Sequence, residues 1–405
     1  MPGDSCDSVA PWTTWWQDDL PCEFSQERAA QNCSFLSDRL GTAWIQNGLA
    51  SPGRGNHPIL QRWASNGVGA FLELNALAED LRLIDSVPGI EQVILDLRNS
   101  QRCRSAWHVV RSAARFARGG SAMVKQFLPQ TDDKIPDFLI DDHGLGIAVE
   151  AKILTKSVIE ERFSDYANSI IQEIFETILD RDRLYPQICI VLKNPHVLPR
   201  FTAVVKTVDR LISNPDAHQH PMRTPAFNVI TFAPPNLEFE SYRFCMILCP
   251  RSQREDLRVQ DRAKKASKQL RADAGKDRPG ILCLEIGEYQ DPPFLVELLA
   301  RRFARGQYRG ISGVLLSRTG THLTFPRRAP VQHVTVIKNP GALSSTPANL
   351  ALAFLGLHGH LIHDLASTGG VAAYRVTECL ARFRVAGNLE LFIPDVRILT
   401  PEMLA

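Results

Sequence analysis

The sequence contains no apolar run long enough to cross a bilayer, and its first residues lack the basic start and apolar core of a signal peptide. It also lacks a strong charge of one sign, because its formal net charge is only +2 over 405 residues. These absences predict a cytoplasmic protein without a membrane partner. They also confine any attraction for nucleic acid to local basic patches.

The nine cysteines are scattered and do not show the paired spacing of a zinc site. Cys245 and Cys249 lie in an apolar stretch typical of a strand, so we interpret them as buried residues in a reducing compartment. The sequence has no glycine-rich phosphate-binding loop and no recognisable serine or cysteine nucleophile motif. It therefore gives no indication of an ATPase or of a serine or cysteine hydrolase.

The most informative pattern consists of two short apolar segments on either side of a turn. Residues 134–140 and 146–152 are typical of strands, and the Asp-Asp-His-Gly-Leu-Gly sequence from Asp141 predicts a hairpin turn. Two strands joined so closely must be antiparallel neighbours. Because side chains alternate along a strand, Glu150 and Lys152 share a face and can meet an acid of the first strand, Asp137.

Two carboxylates beside a lysine suit the hydrolysis of a phosphodiester bond. Mg²⁺ prefers oxygen ligands and keeps several waters, so two carboxylates and a backbone carbonyl can hold it. A bound metal ion acidifies water and neutralises phosphate charge, and a lysine can orient that water or stabilise negative charge. The alternative is a surface hairpin with an ordinary Glu–Lys pair, since Glu-x-Lys alone occurs by chance in most chains.

Pro136-Asp137 followed by Glu150-Ala151-Lys152 resembles the PD-(D/E)xK nuclease superfamily, which includes restriction, recombination and defence nucleases. The resemblance implies a restriction-endonuclease-like α/β core, in which a mixed sheet is flanked by helices. It implies a metal-dependent endonuclease acting on DNA, or less favourably RNA, in restriction, defence or repair. Asp137, Glu150 and the Ala151 carbonyl would hold Mg²⁺, with Mn²⁺ as a substitute, and Lys152 would serve the water.

Many members of this superfamily only bind, so an inactive nucleic-acid-binding or assembly module is the alternative function. Nucleic acid is the expected partner, and a homo-oligomer or partner proteins of a larger complex stay open. The superfamily core runs in the order helix, three strands, helix, strand. Here that order predicts a helix over 103–118, a strand near 123–128, the hairpin, a helix over 158–180 and a strand over 187–192.

Later strands and helices alternate, which favours an extension of the same sheet. The sequence therefore predicts a helical, Trp-rich N-terminal region over 1–100 and a nuclease-like domain over 101–318. That domain would contain an insertion near 194–225, where Pro, His and Asn are frequent. A C-terminal α+β extension would follow over 319–405.

Superfamily members often carry a glutamate on the first core helix, but residues 103–118 contain no acid. Three explanations are open. The third acid is dispensable, or Glu73 or Glu79 of an earlier helix supplies it, or the metal site is weak.

Two basic helix faces are candidates for nucleic-acid contacts, because phosphate contacts position a substrate without reading its sequence. The first face comprises His108, Arg111, Arg115 and Arg118, at spacings of three and four residues. The second comprises Arg258, Lys265 and Lys268, on a helix predicted from Glu255 to about Ala274. For both, the alternative is a solvated helix face.

Overall fold

The structure is a computed structural model of the chain. It describes residues 26–51, 57–65, 68–118, 122–129, 135–154, 158–174, 176, 187–194, 197–213, 222–232, 245–248, 253–273, 278–286, 292–324, 327–339, 341–344, 363–368 and 371–379. Residues 1–25 of the predicted Trp-rich region and 380–405 of the predicted C-terminal extension lie outside these ranges. No helix in the described ranges is both long and apolar enough to span a bilayer.

Six described helices precede the first strand, and helices and strands intermix after it. The described helices are α1 Gln26–Leu40, α2 Thr42–Ala50, α3 Pro58–Trp63, α4 Val68–Ile84, α5 Ile90–Arg98, α6 Cys103–Arg118, α7 Val158–Glu173, α8 Phe201–Ile212, α9 Gln253–Asp273 and α10 Pro292–Ala304. The described strands are β1 Ala122–Phe127, β2 Phe138–Asp142, β3 Leu145–Ile153, β4 Gln187–Leu192, β5 Met222–Arg223, β6 Phe227–Phe232, β7 Cys245–Leu248, β8 Gly280–Ile286, β9 Gly313–Thr324, β10 Arg327–Lys338, β11 His363–Thr368 and β12 Val371–Cys379.

The chain divides into two compact units. Unit 1 comprises Met1–Leu154, Leu257–Glu288 and Pro292–Ile393, and unit 2 is formed mainly by Thr155–Asp256. The long insertion therefore begins directly after β3 and ends inside α9. The insertion predicted near 194–225 covers only part of this span.

Unit 1 contains an eight-stranded sheet in the order β1-β2-β3-β8-β9-β10-β12-β11. β3, β8 and β9 run parallel to one another, and the other neighbours are antiparallel. The sheet is therefore mixed, as predicted. The boundary predicted at residue 318 falls inside β9, and β10 to β12 extend the same sheet.

Helices cover both faces of this sheet, and alternation along β3 assigns its residues to different cores. Val149 and Ala151 pack in one core with α4, α5 and α6. Ala148 packs in the other core with apolar residues of α9 and α10. Because β3 has a partner strand at each edge, its Ile147–Ala151 segment is buried, as is expected for a central strand.

Unit 2 has its own four-stranded sheet, in the order β5-β6-β4-β7, and its own core with α7 and α8. The sequence predicted β4 as the next strand of the hairpin's sheet, and this prediction is wrong. β8 occupies the place beside β3 instead, and residues Ala148 to Ile153 pair in parallel with Gly280 to Glu285. The helix α8 was missed, because its Pro-, His- and Asn-rich surroundings indicated a linker.

Gly89 allows a close approach between the start of α5 and the end of β1. Its φ of +86° is a left-handed conformation, and a Cβ added there would collide with the Phe127 carbonyl oxygen. Gly144 has a φ of +89° but would meet nothing within 4 Å.

We expect Gly89→Ala to lower stability more than Gly144→Ala. Both variants incur the left-handed penalty of about 1–2 kcal/mol, and Gly89→Ala adds a steric cost of about 1–3 kcal/mol. Thermal melts of the full chain would measure the difference. Equal melting temperatures for the two variants would contradict the close approach.

Candidate functional site

The β2–β3 hairpin has a tighter turn than the sequence indicated. Asp142 pairs with Leu145, so the loop consists of His143 and Gly144 alone. Both have positive φ, +51° and +89°, which is the pattern of a type I′ turn. The Gly144 amide also donates to Asp141 Oδ1 at 2.7 Å. This turn fixes the register that places Asp137 opposite the end of β3.

The structure brings together the three residues that the sequence singled out. The Asp137 amide donates to the Val149 carbonyl at 3.0 Å, and the Ala151 amide donates to Asp137 Oδ2 at 2.7 Å. Lys152 Nζ forms an ion pair with Glu150 Oε1. Asp137 interacts electrostatically with both Glu150 and Lys152. Two carboxylates and one ammonium therefore form a single cluster, which we call the Asp137–Glu150–Lys152 cluster.

This cluster does not lie on an open sheet face. Glu150 is fully buried, and the Lys152 side chain is only 23% exposed. Alternation places Glu150 on the same face as Ala148, and α9 covers that face. Gln269 of α9 lies close enough to act electrostatically on Glu150, and its Nε2 donates to the Ile135 carbonyl at 3.4 Å. Glu150 therefore lies beneath a helix, whereas Asp137 and Lys152 are partly exposed.

Burial raises the pKa of both acids, and repulsion from Asp137 adds to the rise at Glu150. Burial, followed by the negative charge of Asp137, raises the pKa of Glu150 to about 8. Burial also raises the pKa of Asp137, despite the nearby Lys152 ammonium. Burial alone would lower the pKa of Lys152, but attraction to Glu150 and Asp137 outweighs it and raises that pKa. One ammonium thus leaves the two carboxylates short of positive charge.

The donor set fits a hard divalent cation. The buried carboxylate of Glu150 and the half-buried carboxylate of Asp137 supply oxygen ligands, and their raised pKa values mark a place where a further positive charge would be stabilised. The Ala151 carbonyl faces the same neighbouring strand as its amide, because both bonds of one residue point to one side of a strand. That amide contacts Asp137, so the carbonyl lies on the Asp137 side as well.

The basic face predicted on α6 is largely internal. His108, Arg111 and Arg115 are 2%, 7% and 2% exposed, because α6 packs against α4, α5, β1 and β3. His108 lies 3.1 Å from the Cys283 carbonyl through Nε2 and 2.9 Å from Glu285 Oε2 through Nδ1.

Arg111 lies 3.8 Å from Glu285 Oε1, and Arg118 pairs with Asp80. In this conformation the three buried side chains cannot reach a phosphate backbone. The solvated-face alternative does not apply to them either. His108 and Arg111 instead interact with Glu285 of β8.

Neither proposed third acid joins the cluster. Glu73 is paired with Arg62, and Glu79 is paired with Arg28 at 2.8 Å. The sequence analysis missed Asp96, whose negative charge contributes to the raised pKa of Asp137. Asp96 lies near the end of α5, where it contacts Arg102 at 3.2 Å. No pattern in the sequence distinguishes it from an ordinary helix-surface acid.

The helix α9 supplies two further residues that the sequence analysis did not assign. Gln269 contacts Glu150, and the positive charge of Arg262 acts on Lys152. Arg262, Ala266 and Gln269 recur at helical spacing, so one flank of α9 faces the cluster. The sequence shows that this helix is basic, but it does not show which of its side chains face the cluster and which face solvent.

The second predicted basic face, on α9, is accessible. Lys265 and Lys268 are exposed, and Arg258 is half-buried. Lys265 pairs with Asp261 at 3.3 Å, one helical turn away. This face stays a candidate for nucleic-acid contacts.

Comparisons with models of protein families and with curated proteins find no match for this chain. Interpretation of the cluster therefore depends on its own geometry and chemistry.

The raised pKa of Glu150 predicts a pH-dependent stability. Its ordinary value is 4.5 and its folded value about 8, so the folded state retains a proton that the unfolded state loses first. The stability contributed by that proton is present below about pH 4.5 and is lost as pH rises through about 8. Asp137 acts in the same direction. In chelator, wild-type melting temperature should fall over this range relative to that of Glu150→Gln.

Glu297→Gln is the matched control, since Glu297 is 62% exposed and pairs only with the neighbouring turn. Its melting temperature should follow that of the wild type at every pH. A Glu150→Gln curve parallel to the wild-type curve would mean that Glu150 is ionised in the folded state at neutral pH.

The burial of the α6 cations predicts a loss of stability on truncation. Arg111→Ala or Arg115→Ala should lower the free energy of unfolding by about 2–4 kcal/mol, because each leaves buried groups uncompensated. Arg104→Ala, on the exposed side of α6, should leave thermal melts almost unchanged. If Arg111→Ala or Arg115→Ala kept the stability of the wild type but reduced the salt dependence of nucleic-acid binding, the phosphate-contact hypothesis would be restored.

Proposed function

We propose that this chain is a divalent-metal-dependent nuclease that hydrolyses phosphodiester bonds of DNA. The observation that carries the proposal is the Asp137–Glu150–Lys152 cluster. Two acids and a lysine meet at the end of a hairpin, in the chemistry that a metal-assisted hydrolysis requires. The perturbed pKa values add support, because such values concentrate at functional sites.

A restriction-endonuclease-like core is part of the same proposal. When the inserted unit 2 is set aside, α6, β1, β2, β3, α9 and β8 follow one another as helix, three strands, helix, strand. β8 lies parallel to β3, and α9 and α6 belong to cores on opposite faces of the sheet. This order supports the PD-(D/E)xK resemblance with α9 and β8 in the places first given to α7 and β4.

Asp137 and Glu150 would hold Mg²⁺, or Mn²⁺, with the Ala151 carbonyl as a further ligand. A bound divalent ion supplies an acidified water and neutralises charge on phosphate oxygens. Lys152 holds Glu150 in an ion pair and is partly exposed, so its ammonium can also contact a phosphate oxygen or a water. Gln269 orients the Glu150 carboxylate from the α9 side.

One observation favours the second candidate, an inactive nuclease-like binding or assembly module. Glu150 is fully buried under α9 and already paired with Lys152, so the cluster is closed to a large substrate in this conformation. An inactive module would keep this ion pair for structural reasons. An active enzyme would need α9 or Lys152 to move when metal and substrate bind.

Further parts of the proposal rest on the resemblance and on charge. DNA is favoured over RNA, and a role in restriction, defence or repair follows from the superfamily. Arg258, Lys265 and Lys268 are proposed to hold the substrate backbone, since two of them are exposed on α9. A homo-oligomer or partner proteins of a larger complex stay compatible with this function.

The decisive test is cleavage of plasmid and single-stranded DNA and RNA with Mg²⁺, with Mn²⁺ and with chelator. Wild-type protein should cleave DNA only with divalent ions. Asp137→Asn and Glu150→Gln should reduce the rate at least about a hundredfold, because each weakens the metal-binding charge while preserving side-chain shape. Lys152→Ala should also lose cleavage, with a smaller effect on metal affinity.

Lys125→Ala is a matched control. Lys125 lies on β1 and pairs with Asp141 at the turn end of the hairpin, away from the cluster. It should cleave at the wild-type rate. A folded wild-type protein that cleaves no substrate with any divalent ion would exclude the nuclease and support the inactive module.

A further inference from the structure

We infer that α9, α10 and the loop after α10 form one surface that binds the phosphate backbone of nucleic acid. We call it the α9–α10 surface and define it by five exposed cations: Lys264, Lys268, Arg271, Arg305 and Arg309. The inference deepens the proposed function and depends on it for the choice of nucleic acid as ligand. It adds the loop after α10 to the α9 face that the sequence indicated.

The two helices lie side by side on the same sheet face. Their apolar residues share one core, and Arg302 Nη2 of α10 donates to Gln260 Oε1 of α9 at 2.7 Å. The Gly310 amide donates to Ser267 Oγ at 3.2 Å, which ties the loop after α10 to α9. Cations on the outer side of α9 and in this loop therefore belong to one surface.

This surface carries an excess of positive charge that its own acids do not neutralise. The exposed acids described on it, Asp261 and Glu297, each pair with a neighbour four residues away, Lys265 and Arg301. None of the five defining cations forms an ion pair with an acid in the described part of the chain. The whole chain has a net charge of only +2, so this concentration is local rather than general.

The Arg271 side chain packs against the loop after α10. A Cβ on Gly310 would lie 2.5 Å from Arg271 Cγ, so this side chain lies against the backbone next to Arg309. Lys264, Lys268 and Arg271 continue from this point along α9 at spacings of four and three residues, on one helical face.

The loop that presents Arg305 and Arg309 is fixed by its backbone. The Gly306 and Ile311 amides donate to the Phe303 and Tyr308 carbonyls at 2.8 Å, and the Leu343 amide donates to the Arg309 carbonyl at 2.9 Å. Tyr308 has a φ of +55°, which is unusual for a residue with a side chain. A fixed loop loses little conformational entropy when it binds a ligand, and strained backbone concentrates at functional sites.

Nucleic acid fits this surface better than other polyanions. One turn of helix separates successive cations by about 5–6 Å, which is comparable to the spacing of phosphates along a strand. Among the described residues of α9 and α10, Leu257 is the only exposed large apolar side chain, whereas an amphipathic membrane-binding helix exposes a whole apolar face beside its cations.

The test uses the full chain in chelator, so that binding is measured without cleavage. Three variants neutralise charge: Lys264→Gln with Lys268→Gln and Arg271→Gln, Arg305→Gln with Arg309→Gln, and all five together. Lys206→Gln with Arg210→Gln, on the exposed side of α8, is the matched control. Fluorescence anisotropy would follow mixed-sequence duplex and single-stranded DNA over a range of salt concentrations.

We expect the slope of log affinity against log salt to fall by about 0.9 per lost contact with duplex DNA, and by about 0.7 with single strands. The loop variant should lose binding as well as the α9 variant, and the five-residue variant should lose the most. The control should match the wild type. Unchanged slopes in the loop variant would overturn the inference, and so would charge-dependent binding to phosphatidylserine vesicles without binding to DNA.

Failure of this inference is distinguishable from failure of the proposed function. Wild-type affinity in the five-residue variant, with cleavage lost only in Glu150→Gln, would reject the surface and keep the nuclease. Reduced affinity in the five-residue variant, with no cleavage by the wild type, would keep the surface and favour the inactive binding module.

Discussion

The central position of β3 constrains the rest of unit 1. β3 pairs antiparallel with β2 and parallel with β8, and helices cover both of its faces. A charged residue in its buried part therefore cannot reach solvent and must find compensation inside the protein. Glu150 is that residue, and the surrounding Asp137, Lys152 and Gln269 are arranged around it. The functional interpretation follows from a structural requirement of this one strand.

Two internal charge networks lie on opposite sides of the paired strands β3 and β8. On the α9 side, Glu150 is paired with Lys152, and burial together with the charge of Asp137 raises the pKa of Glu150. On the α6 side, Glu285 is compensated by His108 and Arg111. The second network has cations enough for its acid, whereas the first is short of positive charge. This difference is why the first is the better candidate for binding a metal ion.

Local patterns were sufficient for the hairpin but not for its surroundings. The turn and the alternation of side chains lie within twenty residues or so of one another, and they correctly predicted that Asp137, Glu150 and Lys152 would meet. The bounds of α6 were predicted from its periodicity. The buried environment of His108 could not be predicted in this way, because its partner Cys283 is 175 positions away in the chain. An exposed and a buried cation look alike until the packing partner of the helix is known.

The exchange of β4 for β8 has a related cause. Both are short apolar strands, so composition does not say which of them pairs with β3. What distinguishes them is the helix before each. The buried stripe of α7 fits the small sheet of unit 2, whereas Val259, Ala263 and Ala266 of α9 pack on the face of β3 and β8.

A parallel pair of strands needs a long crossover in any case, and the entropy cost of lengthening it grows only with the logarithm of its length. Because unit 2 also buries its own core, it can be inserted between β3 and α9 without altering how α9 covers Glu150. Chain order alone therefore cannot identify which helix and strand complete the core around β3. The match between the apolar stripe of a helix and a face of the sheet does identify them.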